Sequence, residues 1–240
     1  MKILTFVMLL ILWSCKKEWS YNGKYNFEKW GEISTEFKFC KIGFNQSPIN
    51  IDKDLVGEFK QNELEFNYQD SIIEKINQKY HQKLVFYGNN FLLRGKKKYW
   101  LRYIEFHHPS EHQIESNPHS LEMQIYHKSD DEQWLVVSYF LELDLKNIDL
   151  ENRNFKNFIE FIKSKNQESK LSIANLIIKN SSSFFYEGSF TSPPCKEGVK
   201  WYIMKEPQYL GRDQLNYLIK STIFSKFNAR HVQKFNPEKF

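Results

Sequence analysis

A mainly β domain is predicted by two features of the 240-residue chain. Four segments alternate with period two between polar or Gly/Asn/Pro turns: Lys83–Phe86, Tyr99–His107, Leu121–His127 and Trp134–Leu141. Aromatic residues, 17% of the chain with 21 Phe and 13 Tyr, run from Trp19 to Phe240 without a linker, repeat or low-complexity block, which argues for one domain with a core of large rings. Apolar residues at 41% and charged residues at 26% exclude a disordered chain.

Taken in order, the chain begins with Lys2 and an apolar run from Ile3 to Trp13. The run is shorter than the roughly 20 residues that span a bilayer. It ends in Leu12-Trp13-Ser14-Cys15 followed by Lys16 and Lys17, a small residue before a cysteine, which resembles the cleavage box of bacterial lipoproteins. Residues 1–14 are therefore expected to be a lipoprotein-type signal peptide. Cys15 is the expected lipidation site of a chain exported to the bacterial envelope and anchored there, facing the periplasm or the cell surface; an ordinary leader is the alternative. Export permits disulfides. With Cys15 used for lipid, Cys40 and Cys195 form an even pair that is expected to bond, two buried free thiols being the alternative. In the chain-entropy picture such a loop is worth about 4–5 kcal/mol.

Further along, Arg94 and Lys96-Lys97-Lys98 read as the solvated tip of a hairpin. Helical spacing of Phe155, Phe158, Ile159 and Ile162, and of Leu215, Leu218 and Ile219, predicts two surface helices over the sheet, the second with Asp213 as a cap. Lys+Arg at 34 against Asp+Glu at 29 leaves +5, too mild to argue for nucleic acid, and no glycine-rich phosphate loop is found.

Five blocks carry the functional signal. They are Asn45-Gln46-Ser47-Pro48-Ile49-Asn50-Ile51; the run from Tyr103 through Glu105, His107 and His108 to Pro109-Ser110-Glu111-His112; Leu121-Glu122-Met123-Gln124-Ile125-Tyr126-His127; Gly188-Ser189-Phe190-Thr191-Ser192-Pro193-Pro194-Cys195; and Asn228-Ala229-Arg230-His231-Val232-Gln233. Together, in this order and spacing, they resemble the α-class carbonic anhydrases, and Trp19-x-Tyr21 with the Cys40/Cys195 pair resembles the secreted bacterial members. The resemblance implies a domain over residues 19–240 with a mostly antiparallel, ten-stranded twisted sheet and peripheral helices.

The family binds zinc through three histidines, two at i and i+2 of one strand and one on its neighbour. Alternate strand residues share a face, so such a set can reach one ion and leave a fourth position for water. In this chain those positions are Glu105, His107 and Gln124. Only one histidine survives. A slide that recruits His108 fails, because adjacent strand residues face opposite sides. Two oxygen donors in place of nitrogens should weaken zinc steeply, and an anionic ligand should make any bound water less acidic. The implied cofactor is none, or weakly bound zinc.

Around these positions the resemblance assigns Thr191 and Glu111 as the pair that orients a metal-bound hydroxide, and Glu122 as the carboxylate behind the third ligand, here able to accept an amide N–H from Gln124. Tyr103 replaces a glutamine that supports the first histidine. Val136, Val199 and Trp201 keep positions of the apolar carbon dioxide pocket, whereas Tyr126 and Phe190 replace smaller residues and should fill it. Either Tyr80 or His81 falls at the proton-shuttle position, and His112 and His127 match structural histidines. The sequence therefore predicts a carbonic-anhydrase-like lipoprotein, silent or severely impaired in catalysis, that acts by binding an unidentified protein or surface ligand; the alternative is a divergent zinc carbonate dehydratase.

Overall fold

The computed structural model describes residues 18–52, 58–60, 64–178, 181–223 and 226–234. The predicted leader and Cys15 lie outside them. Among the described residues no helix is long and apolar enough to cross a membrane.

The first strands in chain order are β1 (Asn50–Ile51), β2 (Glu58–Lys60), β3 (Leu64–Asn67), β4 (Ser71–Asn77) and β5 (Gln82–Tyr87). Next come β6 (Phe91–Arg94), β7 (Lys97–His107), β8 (Gln113–Ile114), β9 (Asn117–Pro118) and β10 (Leu121–Lys128). The last are β11 (Trp134–Leu143), β12 (Glu168–Leu171), β13 (Ser182–Ser189), β14 (Glu197–Met204) and β15 (Gln208–Leu210). Among the described residues four α-helices accompany them: α1 (Trp30–Ile33), α2 (Phe39–Ile42), α3 (Arg153–Lys163) and α4 (Arg212–Thr222).

One large sheet runs β12-β4-β5-β7-β10-β11-β14-β13-β2, with β6 joining β3 to β7 and β15 beside β11. Its described pairings are antiparallel except where β11 meets β14 and β15. Among the described residues the sheet thus holds twelve strands rather than ten, because short segments such as β2, β3 and β15 also pair with it. The four segments with period two are β5, β7, β10 and β11, each longer by one or two residues at an end. The Arg94–Lys98 run does form a hairpin, closed by Arg94 opposite Lys97 with Gly95 at φ 58° in the turn, a left-handed conformation that glycine adopts without strain.

Alternation along the central strands gives the sheet two different faces. Ile104, Phe106, Met123, Ile125, Val137 and Tyr139 point to the main core, which α3 covers with Phe155, Phe158, Ile159 and Ile162 and α4 with Leu215 and Leu218. Both predicted helices are therefore found. The cap differs from expectation: Gly211 precedes α4, and Asp213 lies inside its first turn, where a carboxylate still favours the helix dipole. It is α3 that has a side-chain cap, Asn152 accepting from the Asn154 amide.

The opposite face carries Tyr103, Glu105 and His107 on β7 and Glu122, Gln124 and Tyr126 on β10, with Val136, Phe140, Val199 and Trp201 beside them. A third cluster gathers Trp19, Tyr21, Trp30, Ile33 and Tyr80 around a disulfide. That bond joins Cys40 and Cys195, 155 residues apart in sequence, as expected.

Candidate functional site

Register brings the predicted ligand positions together. In the antiparallel pair β7/β10, Glu105 stands opposite Gln124, His107 opposite Glu122 and Tyr103 opposite Tyr126. All six share one face, as the period of two requires. The other sequence blocks close around them. Asn228 accepts from the His107 imidazole through its carbonyl (Nδ1 to O 2.8 Å) and from the His108 amide through its side chain (2.9 Å). Arg230 donates to Gln46, to the Ser47 carbonyl and to the Cys40 carbonyl, tying the Asn45–Ile51 block and the disulfide to the site. Ser47 in turn accepts from the Ser189 amide at 3.0 Å. This approach depends on Gly188, where a Cβ would stand 2.2 Å from the Ser47 hydroxyl oxygen.

The hydrogen bonds of Gln124 define its chemistry. Its amide nitrogen donates to Glu122 (2.9 Å) and to Glu111 (3.0 Å), and its side-chain oxygen accepts from the Tyr126 hydroxyl at 2.6 Å. The expected bond to Glu122 is present, and the one to Glu111 adds to it. Glu122 is fully buried and also accepts from the His112 ring, the Ser138 hydroxyl and the amides of Glu111 and His112. Burial alone would raise its pKa, but His112 and these donors hold it at about 2. His112 completes its own pair by meeting the Tyr186 hydroxyl at 2.6 Å, which is the structural role assigned to it.

Glu105 has a different set of partners. It is 7% exposed, and its carboxylate lies 2.9 Å from the Lys83 ammonium and 3.1 Å from His81 Nε2. Burial opposes its charge, but His81, Lys83 and His107 together hold the carboxyl well below the usual range. Lys83 also sits 3.9 Å over the Tyr103 ring. Of the two shuttle candidates, His81 is thus turned inward onto Glu105, while the Tyr80 hydroxyl donates to the Trp19 carbonyl and its ring packs on Trp19 and Tyr21.

His107 is 1% exposed and keeps one free atom: Nε2 has no hydrogen-bond partner among the described residues. Burial would depress its pKa, yet the facing Glu111 and Glu105 raise it above the ordinary histidine value. Glu111, raised chiefly by burial, accepts from the Thr191 hydroxyl and from the Arg230 amide, so the Glu111–Thr191 pair implied by the resemblance is intact.

These donors do not fit zinc. One imidazole nitrogen is unengaged, the Glu105 carboxylate already faces two positive or proton-bearing groups, and the Gln124 amide is committed on both sides. Among the described residues, no three His, Cys, Asp or Glu side chains are set to hold a metal ion.

The apolar wall is filled. Tyr126 stacks on Tyr103 at 4.4 Å between ring centroids and lies parallel to Phe190 at 6.1 Å, and Trp134 closes edge-on against Phe190 at 5.2 Å. Val136, Val199 and Trp201 pack behind Tyr126, all at most 1% exposed. The five predicted pocket residues thus form one cluster, and Trp134 and Tyr103 join it.

Sequence reasoning misses Lys83, the role of His81 and the Tyr126–Gln124 bond. The last is readable in principle, because residues two apart on a strand share a face. The Lys83 and His81 contacts cross from β5 and the residue before it to β7, and nothing in local spacing reports them.

Residues 25–238 match the family of eukaryotic-type carbonic anhydrases. A carbonic anhydrase of Neisseria gonorrhoeae is 30% identical over 221 residues, covering 91% of this chain and 85% of that protein. Dioscorin dioA3 of Dioscorea japonica is 32% identical over 244 residues, covering 97% of this chain and 89% of that protein. Among solved structures, the α-carbonic anhydrase of Thermovibrio ammonificans in complex with sulfanilamide superposes with a TM-score of 0.81 at 28% identity, covering 92% of this chain and 96% of that one.

Proposed function

From a chain that belongs to the eukaryotic-type carbonic anhydrase family, but two of whose three ligand positions are engaged in bonds within the protein, we propose a binding protein on the carbonic anhydrase fold that is silent in hydration of carbon dioxide. One observation carries the reading. Two of the three positions that hold zinc histidines in the family carry Glu105 and Gln124, and both are satisfied from inside, by Lys83 and His81 and by Glu111, Glu122 and Tyr126. A carboxylate and an amide that already pair with neighbours inside the protein have no need of an ion, and the ring of Tyr126 takes up the space beside them. That dioscorin dioA3 is as similar to this chain as a carbonic anhydrase is supports treating fold and activity separately.

The proposal includes export and a lipid anchor at Cys15. The leader pattern and the Cys40–Cys195 bond, which suits an oxidising compartment, support it. The ligand is then a protein or surface component met in the envelope or outside the cell.

A second reading is favoured by two observations: the Glu111–Thr191 pair is intact and His107 Nε2 is unengaged. It makes the protein a divergent carbonate dehydratase that interconverts carbon dioxide and bicarbonate. Metal stoichiometry separates the two. Protein starting after Cys15 is incubated with zinc, dialysed against metal-free buffer and analysed for bound metal, and its carbon dioxide hydration is followed by stopped flow. Near-zero zinc and a rate equal to buffer are expected. One equivalent of zinc, lost in His107→Ala, together with hydration above buffer, establishes the dehydratase instead.

A further inference from the structure

Three large apolar side chains stand exposed close together in the chain: Phe39 (39%), Ile42 (60%) and Phe44 (77%). Phe39 and Ile42 are three residues apart on α2, so they share one side of it. Between Phe37 and Phe44 the charged side chains are Lys38 and Lys41, both exposed, with no acid among them. Lys41 pairs with Glu32 at 2.8 Å, but both side chains are half exposed, and such a pair yields readily to another anion. Apolar groups rimmed by lysines have the composition of an interfacial anchor: rings and alkyl groups enter the acyl boundary while ammonium groups meet anionic headgroups.

The patch also lies near the expected lipid. Trp19 packs on Trp30 of α1, ring centroids 5.1 Å apart, and α1 lies so close to α2 that a Cβ on Gly31 would stand 2.3 Å from the Lys41 Cβ. Trp19 and Cys40 accordingly belong to one cluster. Cys15 is three residues from Glu18, and a chain of that length spans at most about 11 Å. A tether so short raises the effective concentration of the patch at a bilayer to the order of millimolar, so that weak attraction suffices for docking.

We infer that Phe39, Ile42 and Phe44, with Lys38 and Lys41, dock on the surface of an anionic lipid bilayer beside the lipid carried by Cys15. This rests on the anchored reading above and extends it: the anchor sets where the protein is, and the patch sets which face meets the membrane. A bilayer fits better than a second copy of the chain. Three side chains, even if wholly covered, fall short of the roughly 800 Å² per partner that a stable interface buries, and two copies of the patch face to face would oppose their lysines.

The test supplies the tether chemically. In a chain beginning at Cys15 that residue is the one cysteine outside the disulfide, so a maleimide lipid couples there, in vesicles of phosphatidylcholine alone or mixed with phosphatidylglycerol. Amide hydrogen exchange over residues 38–44 should be about three-fold slower or more on the anionic vesicles than in the uncoupled protein. Ile42→Ser with Phe44→Ser, both at exposed positions, should abolish the slowing. Lys38→Gln with Lys41→Gln should remove the difference between the two kinds of vesicle. Exchange over 38–44 that vesicles leave unchanged overturns the inference, and so does slowing that is equal on both kinds or confined to another face. Slowing without vesicles that grows with protein concentration overturns it in favour of a contact between copies. Mass spectrometry of the chain from bacterial membranes reads the anchor separately: an unmodified Cys15 sinks the anchored reading, whereas the vesicle result decides the patch.

Discussion

The Tyr126 hydroxyl donates to the side-chain oxygen of Gln124 at 2.6 Å, and this bond fixes which end of the amide faces the carboxylates. With the oxygen taken by the phenol, the nitrogen must point at Glu111 and Glu122, and it does, at 3.0 and 2.9 Å. Two substitutions relative to the family's pattern therefore act as one unit. Tyr126→Phe should lower stability by about 1–2 kcal/mol, the cost of a buried oxygen left without its donor. Chemical denaturation of the two proteins measures it, and an unchanged midpoint would show that the bond is idle.

Stability should fall as the solution is acidified below about pH 6.5, and His127 supplies part of the fall. Burial pushes its pKa from 6.5 down to about 3, opposed only by the Leu135 and Ile125 carbonyls, and its Nε2 meets the Tyr68 hydroxyl at 2.5 Å. A folded pKa below the unfolded one means that the unfolded chain binds the extra proton between about pH 6.5 and 3. The stabilisation is whole above that window and is lost as pH drops through it. Glu122, at about 2 in the fold against an ordinary 4.5, adds a second loss from pH 4.5 downward. Urea midpoints at about pH 7, 5.5 and 4 should converge between wild type and His127→Gln as pH falls; parallel curves would remove His127 from the account.

Lys75 is buried in the sheet, yet donates to the carbonyls of Phe161 (3.1 Å) and Ser164 (2.7 Å), at the C-terminal end of α3. A cation there satisfies carbonyls that the helix leaves over and complements its dipole. Lys75→Met keeps the apolar stem and should cost about 2–4 kcal/mol, from two charge-assisted bonds. Guanidinium titration followed by far-ultraviolet circular dichroism reads it, and a loss under about half a kcal/mol would contradict this account.

How much of the molecule is legible in the sequence depends on how local each feature is. Period two in Tyr99–His107 and Leu121–His127 reports which residues share a face, so the meeting of Glu105, His107 and Gln124 can be read from spacing and resemblance together. Five separated blocks identify the fold, whereas periodicity gives strands but no order. The short strands β2, β3 and β15 lack the length that makes a pattern visible, and for that reason a sequence reading undercounts the sheet. Asp213 is easily misassigned because acidic residues suit both the cap and the first turn. Lys83 resembles any other exposed lysine of an alternating strand, and only tertiary packing shows that its ammonium turns to Glu105.

The disulfide should matter to the site as well as to stability. Cys40 and Cys195 each present a backbone carbonyl to a buried donor, Arg230 for the first and Gln46 for the second, and Arg230 in turn offers its amide to Glu111. Replacing both cysteines by alanine should cost about 2–5 kcal/mol. It should also loosen the Asn228–Arg230 segment, whose carbonyl orients His107. Faster amide exchange at Arg230 than at the strand Leu121–Lys128 in the variant is the specific expectation; a uniform change across both would mean the bond serves stability alone.

Restoring the ligands tests whether the scaffold still accommodates the family's chemistry. Glu105→His with Gln124→His returns three imidazoles to one face of β7 and β10, with Glu122 positioned to accept from the new ring and the Glu111–Thr191 pair already in place. The double variant should bind close to one equivalent of zinc. It also strands Lys83, whose partner is gone, as a cation beside a divalent ion, so adding Lys83→Met should tighten zinc further, by about ten-fold. Activity should lag behind affinity. Tyr126 keeps its ring between Tyr103 and Phe190, where the substrate would need space, and Tyr126→Val on top of the double variant should raise the hydration rate more than it changes zinc affinity. Stopped-flow hydration and zinc competition on the parent and these variants distinguish the effects. Zinc bound fully with no hydration in any of them would place the defect outside both the ligands and the pocket wall.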